Sequence, residues 1–243
     1  MIPQRHRAAG LVLPVALALP ALALLIGLGT WQMQRKAWKE DLIAQITARV
    51  HQPPVALAEL ETRAAGGLEY ARVRVRGTFR HKSEQFLWEP DPRQGPGYHV
   101  YTPLQLNDGR LILVNRGYVT EAKKTPTTRS EGQITGTVEV VGLLREPVAR
   151  AMFSPDRGSN GVWYSRDFDG IARAALGADA GKAVRTVLDA EATPANPGGW
   201  PQGGVTRLTL PNRHLEYALT WYGLALTLVG VLAAFIVARW RGA

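Results

Sequence analysis

A histidine and two aromatic residues recur at helical spacing where the last apolar run of this 243-residue chain begins. In "PNRHLEYALTWYG", residues 211–223, Tyr217 and Trp221 follow His214 at i+3 and i+7, which puts all three on one helix face. Two readings are open. Amphipathic side chains of this kind form the belt found at a membrane–water interface. The same set also suits a ligand pocket, in which imidazole binds haem iron axially and flat rings pack on the macrocycle. If each of two apolar runs crosses a membrane once, Trp31, Gln32 and Arg35 at the end of the first reach the depth of His214. A guanidinium at that level can pair with propionates. His99 is an alternative ligand, read chiefly as a satisfied strand residue.

Other chemistries lack their residues. There is no phosphate-binding glycine loop, no G-x-S-x-G, no H-E-x-x-H and no dinucleotide fingerprint. The five histidines are scattered, and the absence of cysteine excludes thiolate metal ligation and thiol redox chemistry by this chain. No carboxylate pair stands out, so the expectation is a protein that is not an enzyme. The arginines Arg72, Arg74, Arg76 and Arg80 share one strand face, either solvated or facing anionic lipid or a partner's carboxylates. In Asn115-Arg116-Gly117 the arginine is either exposed at a turn or a structural residue pinning strands together.

Two apolar elements must position the histidine. No charge interrupts the chain between Arg7 and Arg35, or between Glu216 and Arg239. Each run exceeds the roughly 20 residues that cross a bilayer as a helix. Pro14 and Pro20 are tolerable in a lipid-embedded helix. The first run is longer than a signal-peptide core, and it ends in the aromatic and basic "WQMQRKAWK", so it reads as a retained span. Mean hydropathy over the chain is only −0.10, so most of the protein lies outside the bilayer.

Between the runs, residues 32–214 carry 25 basic and 19 acidic residues. That balance suits a domain above anionic lipid and is too mixed for nucleic acid. Arg5, Arg7, Arg239 and Arg241 favour two cytoplasmic ends. The expected organisation is a cytoplasmic N-terminus (1–10), a transmembrane helix (11–31) and an amphipathic stalk helix (32–52). A β-rich domain (53–213) on the outer side, a transmembrane helix (214–238) and a cytoplasmic C-terminus (239–243) follow. Trp31, Trp38, Leu42, Ile46 and Val50 give the stalk its stripe, and Pro53 and Pro54 end it.

From residue 69 the period changes to two. Strands are expected at 69–80, 84–89, 97–106, 109–119, 134–146, 161–167, 183–191 and 204–210, with a hairpin turn at Asn107–Gly109. One short helix is expected at 167–178. The fold class is thus α+β: two membrane helices flanking a mainly antiparallel barrel or sandwich.

Read together, "LGTWQMQRKAWK" (28–39), "YARVRVRGTF" (70–79), "GPGYHVYTPL" (95–104), "ILVNRGYV" (112–119), "VWYSRD" (162–167) and "PNRHLEYALTWYGLA" (211–225) resemble the surfeit locus protein 1 family. One departure stands at Tyr118 and Thr120, where the family usually carries tryptophan and proline. The resemblance implies a two-span assembly factor of cytochrome c oxidase. In a bacterium it would sit in the inner membrane, its main domain periplasmic, and mature subunit I of the oxidase. Bacterial members are linked to haem a delivery, and the family's histidine and nearby tryptophan map onto His214 and Trp221. On this reading His214 is the axial ligand of a transiently bound haem a, Tyr217, Trp221, Trp31 and Gln32 line it, and Arg35 meets a propionate. Subunit I, membrane lipid and a haem a synthase are the implied partners. The rival reading is a scaffold that stabilises immature subunit I without touching haem.

Overall fold

The computed structural model describes residues 4–63, 67–147 and 157–241, so the outermost residues of both expected termini lie outside it. It divides into two compact units, residues 1–45 with 209–243, and residues 46–208. The first unit is a pair of helices, α1 (Gln4–Val50) up to Gln45 and the C-terminal helix (His214–Arg241). Both are long and apolar enough to cross a membrane. Small residues line their packed faces: Ala18, Gly29, Ala218 and Ala225 are buried, whereas Leu17, Leu24, Leu219, Leu226 and Val231 are exposed. Helices meet through small residues where lipid supplies no hydrophobic drive to associate. The ring of Tyr222 lies directly on Gly29, where a Cβ would come within 2.5 Å of it.

The second unit is built on a mixed sheet. Its elements are β1 (Val55–Ala56), α2 (Leu57–Arg63), β2 (Arg72–Phe79), β3 (Gln85–Trp88), β4 (Gly97–Leu106) and β5 (Leu111–Thr120). They continue with β6 (Thr137–Arg145), β7 (Val162–Trp163), α3 (Phe168–Leu176) and β8 (Ala183–Ala190); the C-terminal helix is α4. The strands pair in the order β1-β2-β6-β8-β5-β4-β3-β7, and a further β2–β4 pairing closes β2, β6, β8, β5 and β4 into a barrel. Pairings are antiparallel except β1–β2, β3–β7 and β5–β8. The expected α+β class, with two helices flanking a mainly antiparallel barrel, is what the chain adopts.

Alternation along the strands builds three cores, the smallest of them Tyr98, Val100, Val119 and Val162. Val73, Val75, Leu104, Ile112, Val114, Leu144 and Leu188 fill one cluster, with Leu57 of α2 packed among them. Their neighbours Leu111, Leu113, Tyr101 and Val187 point the other way and meet Phe168, Ile171 and Leu176 of α3. Strand β5 is buried on both sides for this reason, and "LILV" reads as an unbroken apolar run. Asp167 caps α3 by accepting a hydrogen bond from Gly170 N (2.8 Å).

One expected strand is absent. Residues 204–210 form no strand, although Thr and Leu alternate there; Thr206 Oγ1 instead donates to Asp189 Oδ2 (2.9 Å) and ties the segment to β8. The arginine face of β2 is largely paired: Arg72 with Glu191 (2.6 Å), Arg76 with Glu139 (2.7 Å) and Arg80 with Asp179 (2.7 Å).

Candidate functional site

His214 opens α4, and its Nδ1 donates to Oε1 of Gln32 on α1 at 2.7 Å. Because a carbonyl oxygen only accepts, this bond places a proton on Nδ1, so that in the neutral imidazole the lone pair is on Nε2. Metal-binding histidines are oriented in this way, the second ring nitrogen donating to an oxygen. The donor set therefore fits an iron-bearing ligand. Thr30 Oγ1 and the Tyr222 hydroxyl lie 3.2 Å apart, a second polar clasp between the helices. Neither Thr30 nor Tyr222 stood out in the sequence; the signal was Gly29, a small residue beside them that admits the ring.

Of the other residues singled out, Trp31 and Tyr217 are 52% and 54% exposed, and Trp221 is half-buried. Exposed flat rings beside an available imidazole offer surface to a planar apolar ligand. The Arg35 guanidinium stacks over Trp38 at 4.2 Å. Gln32 and His214 are the two expected site residues joined by a hydrogen bond.

The barrel holds charged groups that sequence reasoning missed or left open. Arg116 is not at a turn. It lies within β5, 1% exposed, over the Phe79 ring at 4.7 Å, and its Nη2 donates to Gly132 O (2.5 Å) and Asn196 Oδ1 (2.9 Å). Glu84, also buried, takes Arg129 Nη2 at 2.5 Å and lies 3.6 Å from Arg116 Nη1. Burial alone would raise the Glu84 carboxyl, but hydrogen bonds from His81 and Arg129 and the charges of Arg129 and Arg116 hold it at about 2. Burial in turn draws the Arg116 guanidinium down to about 10. Arg129 sits in the polar stretch "TPTTRSEG", where nothing local marks a buried cation.

A second network surrounds His99. Asn115 Nδ2 donates to Asp189 Oδ1 (2.9 Å) and faces His99 Nδ1 at 3.5 Å, while Glu89 lies 3.7 Å from the same ring. Burial pushes the His99 imidazole below its ordinary value, so it stays neutral there. These contacts make His99 a satisfied strand residue. Among the described residues no group of three or more histidine, cysteine or acidic side chains is placed to hold a metal ion.

Two membrane-length helices clasped by a histidine–glutamine bond, in one chain with a closed mixed barrel, define a membrane protein of α+β class. A family model described as the SURF1 family matches residues 19–226. Surfeit locus protein 1 of Mus musculus is 40% identical over 224 residues, covering 86% of this chain and 70% of that protein. The Homo sapiens protein of the same name is 40% identical over 228 residues, 87% of this chain and 73% of its own length. A SURF1-like protein of Monosiga brevicollis is 37% identical over 231 residues, 89% and 84%. The chain belongs to the SURF1 family.

Proposed function

We propose that this chain is a cytochrome c oxidase biogenesis factor of a bacterial inner membrane, which takes haem a at His214 and presents it for insertion into subunit I. Membership of the SURF1 family, known for cytochrome c oxidase assembly, supports the role. The observation that supports the cofactor is the His214–Gln32 bond, which orients the ring so that Nε2 of the neutral imidazole carries the lone pair a metal would take. Haem a is cargo on this reading, and its chemistry belongs to the oxidase. The chain supplies an axial nitrogen at His214, orientation through Gln32, ring surface from Trp31, Tyr217 and Trp221, and a cation at Arg35. A periplasmic barrel is supported by the arginines Arg5, Arg7, Arg239 and Arg241 at the outer ends of the two spans.

An absorption spectrum tests this. The full chain, purified from cells that make haem a, should show a haem a spectrum that His214→Ala abolishes. Gln32→Leu, which removes the acceptor, should lower the haem retained by about tenfold, the ordinary cost of losing a partner that orients a ligand. Equal spectra in wild type and His214→Ala would move the ligand elsewhere. Folded protein without haem in either, from membranes containing haem a, would favour the scaffold that only stabilises immature subunit I.

A further inference from the structure

A cavity of about 290 Å³ opens between α3 and β8, lined by none of the residues of the two buried networks. It exists because the ladder between β5 and β8 slips. Leu111 pairs with Ala183, but Leu113 pairs with Val187, so three residues of β8 answer one of β5. A strand that bulges in this way withdraws from its neighbour and re-aims its side chains. Phe168 and Ala172 of α3 and Leu113 of β5 give the cavity apolar walls.

Its charged groups are mostly cations. Arg173 and Arg185 both line the cavity and are exposed, and neither has an ion pair or side-chain hydrogen bond among the described residues. Arg72, Arg76 and Arg80, by contrast, are paired with Glu191, Glu139 and Asp179. Asp169 is the one acid of the lining, so two cations face one anion. Thr186 also lines the cavity, 6% exposed, and its hydroxyl has no partner. A buried hydroxyl left unpaired is costly, and rotation about χ1 would exchange its position with that of the methyl group.

We propose that this cavity binds a compact amphipathic carboxylate. Its apolar tail packs on Phe168 and Leu113, and its carboxylate is held by the Arg173 and Arg185 guanidinium groups, with Thr186 as an added donor. Planar guanidinium forks match a carboxylate in geometry and charge. The apolar walls select against a bare inorganic anion. At roughly 30 Å³ per water-sized group, the space holds about ten non-hydrogen atoms, the size of phenylacetate and too little for a porphyrin. The site is therefore separate from any haem carried at His214.

Calorimetric titration of the full chain in nanodiscs with phenylacetate and hexanoate tests the proposal, with phenylacetamide and inorganic phosphate as controls. Saturable binding of either carboxylate is expected below about 10 mM. It should weaken by about tenfold in Arg173→Gln/Arg185→Gln and severalfold in Thr186→Val, and be at least about tenfold weaker for the amide. Thermal unfolding of each variant reports that the barrel is intact, since both arginines are exposed. Four results would overturn the proposal: no saturable binding of either acid, equal binding by the double arginine variant, equal binding of the amide, or phosphate bound as tightly as phenylacetate.

Discussion

Glu84 is a residue on which two buried cations converge. Its carboxylate stands against Arg129 and Arg116 in a site almost closed to water. Arg116 Nε and Nη1 have no hydrogen-bond partner, so Glu84 is the group that balances that cation. Removing one partner from such a cluster leaves an uncompensated buried charge, worth about 3–5 kcal/mol. Glu84→Gln should destabilise the barrel by about that amount, as read from denaturant unfolding. The pH dependence follows from the sign of the shift. A carboxylate held at about 2, against roughly 4.3 in the unfolded chain, stabilises fully above the unfolded value. That contribution, on the order of 3 kcal/mol, disappears as pH falls from about 4.5 to about 2. Unfolding temperatures across that range should fall less steeply in Glu84→Gln than in wild type. Parallel curves would show that Glu84 is not the titrating group.

At the scale of the element, the Asn115-Arg116-Gly117 segment shows how one glycine sets the course of a strand. Tyr118 pairs with His99 and Asn115 with Tyr101, so two residues of β5 oppose only Val100. Gly117 takes φ +119° at this bulge, and a Cβ there would come within 1.8 Å of Gln202 O. The close approach is made by the Tyr118–Gln202 bridge, whose two backbone bonds are each 2.9 Å. Gly109, in the β4–β5 turn, also has positive φ (+86°) but has nothing near its missing Cβ. Gly109→Ala should therefore cost only about 1 kcal/mol of backbone strain. Gly117→Ala should cost about 4 kcal/mol or more, because the backbone of residue 202 has to move as well. Equilibrium unfolding of the two variants checks the contrast, and similar losses would mean that the bridge yields freely.

The same contrast explains what could be read in advance. Gly109 belongs to a local turn signal, and β4, β5 and their hairpin follow from alternation and "LNDG". The spans are equally legible, since length and lack of charge are local properties. The burial of Arg116 and Arg129 depends on Glu84, which lies 32 and 45 residues away in the chain. The Gln32–His214 bond joins residues 182 apart. Residues 204–210 mislead for a related reason: alternation marks a strand only where a neighbour offers a ladder, and here the side chain of Asp189 takes that place.

On the scale of the whole molecule, apolar exposure is divided sharply between the two units. Among the described residues of 46–208, the large hydrophobic side chains that remain exposed are Trp88, Tyr164 and Leu208; the rest belong to α1 and α4. Scattered exposed hydrophobics are normal for a soluble domain, whereas continuous stripes along 28 or more residues are not. The barrel also closes its sheet on itself, and its cores lie within 46–208. A fragment of residues 46–208 should therefore be soluble without detergent and unfold in one cooperative transition. Because Glu84, Arg116 and Arg129 all lie inside it, its acid transition should fall in the same pH range as that of the full chain. On the proposed function it should also retain no haem a when purified from cells that make it, since His214 and Gln32 are absent. A soluble fragment with an unchanged acid transition would assign folding stability to the barrel. Aggregation, or a transition displaced to higher pH, would mean that the helices are needed to complete the barrel's own core.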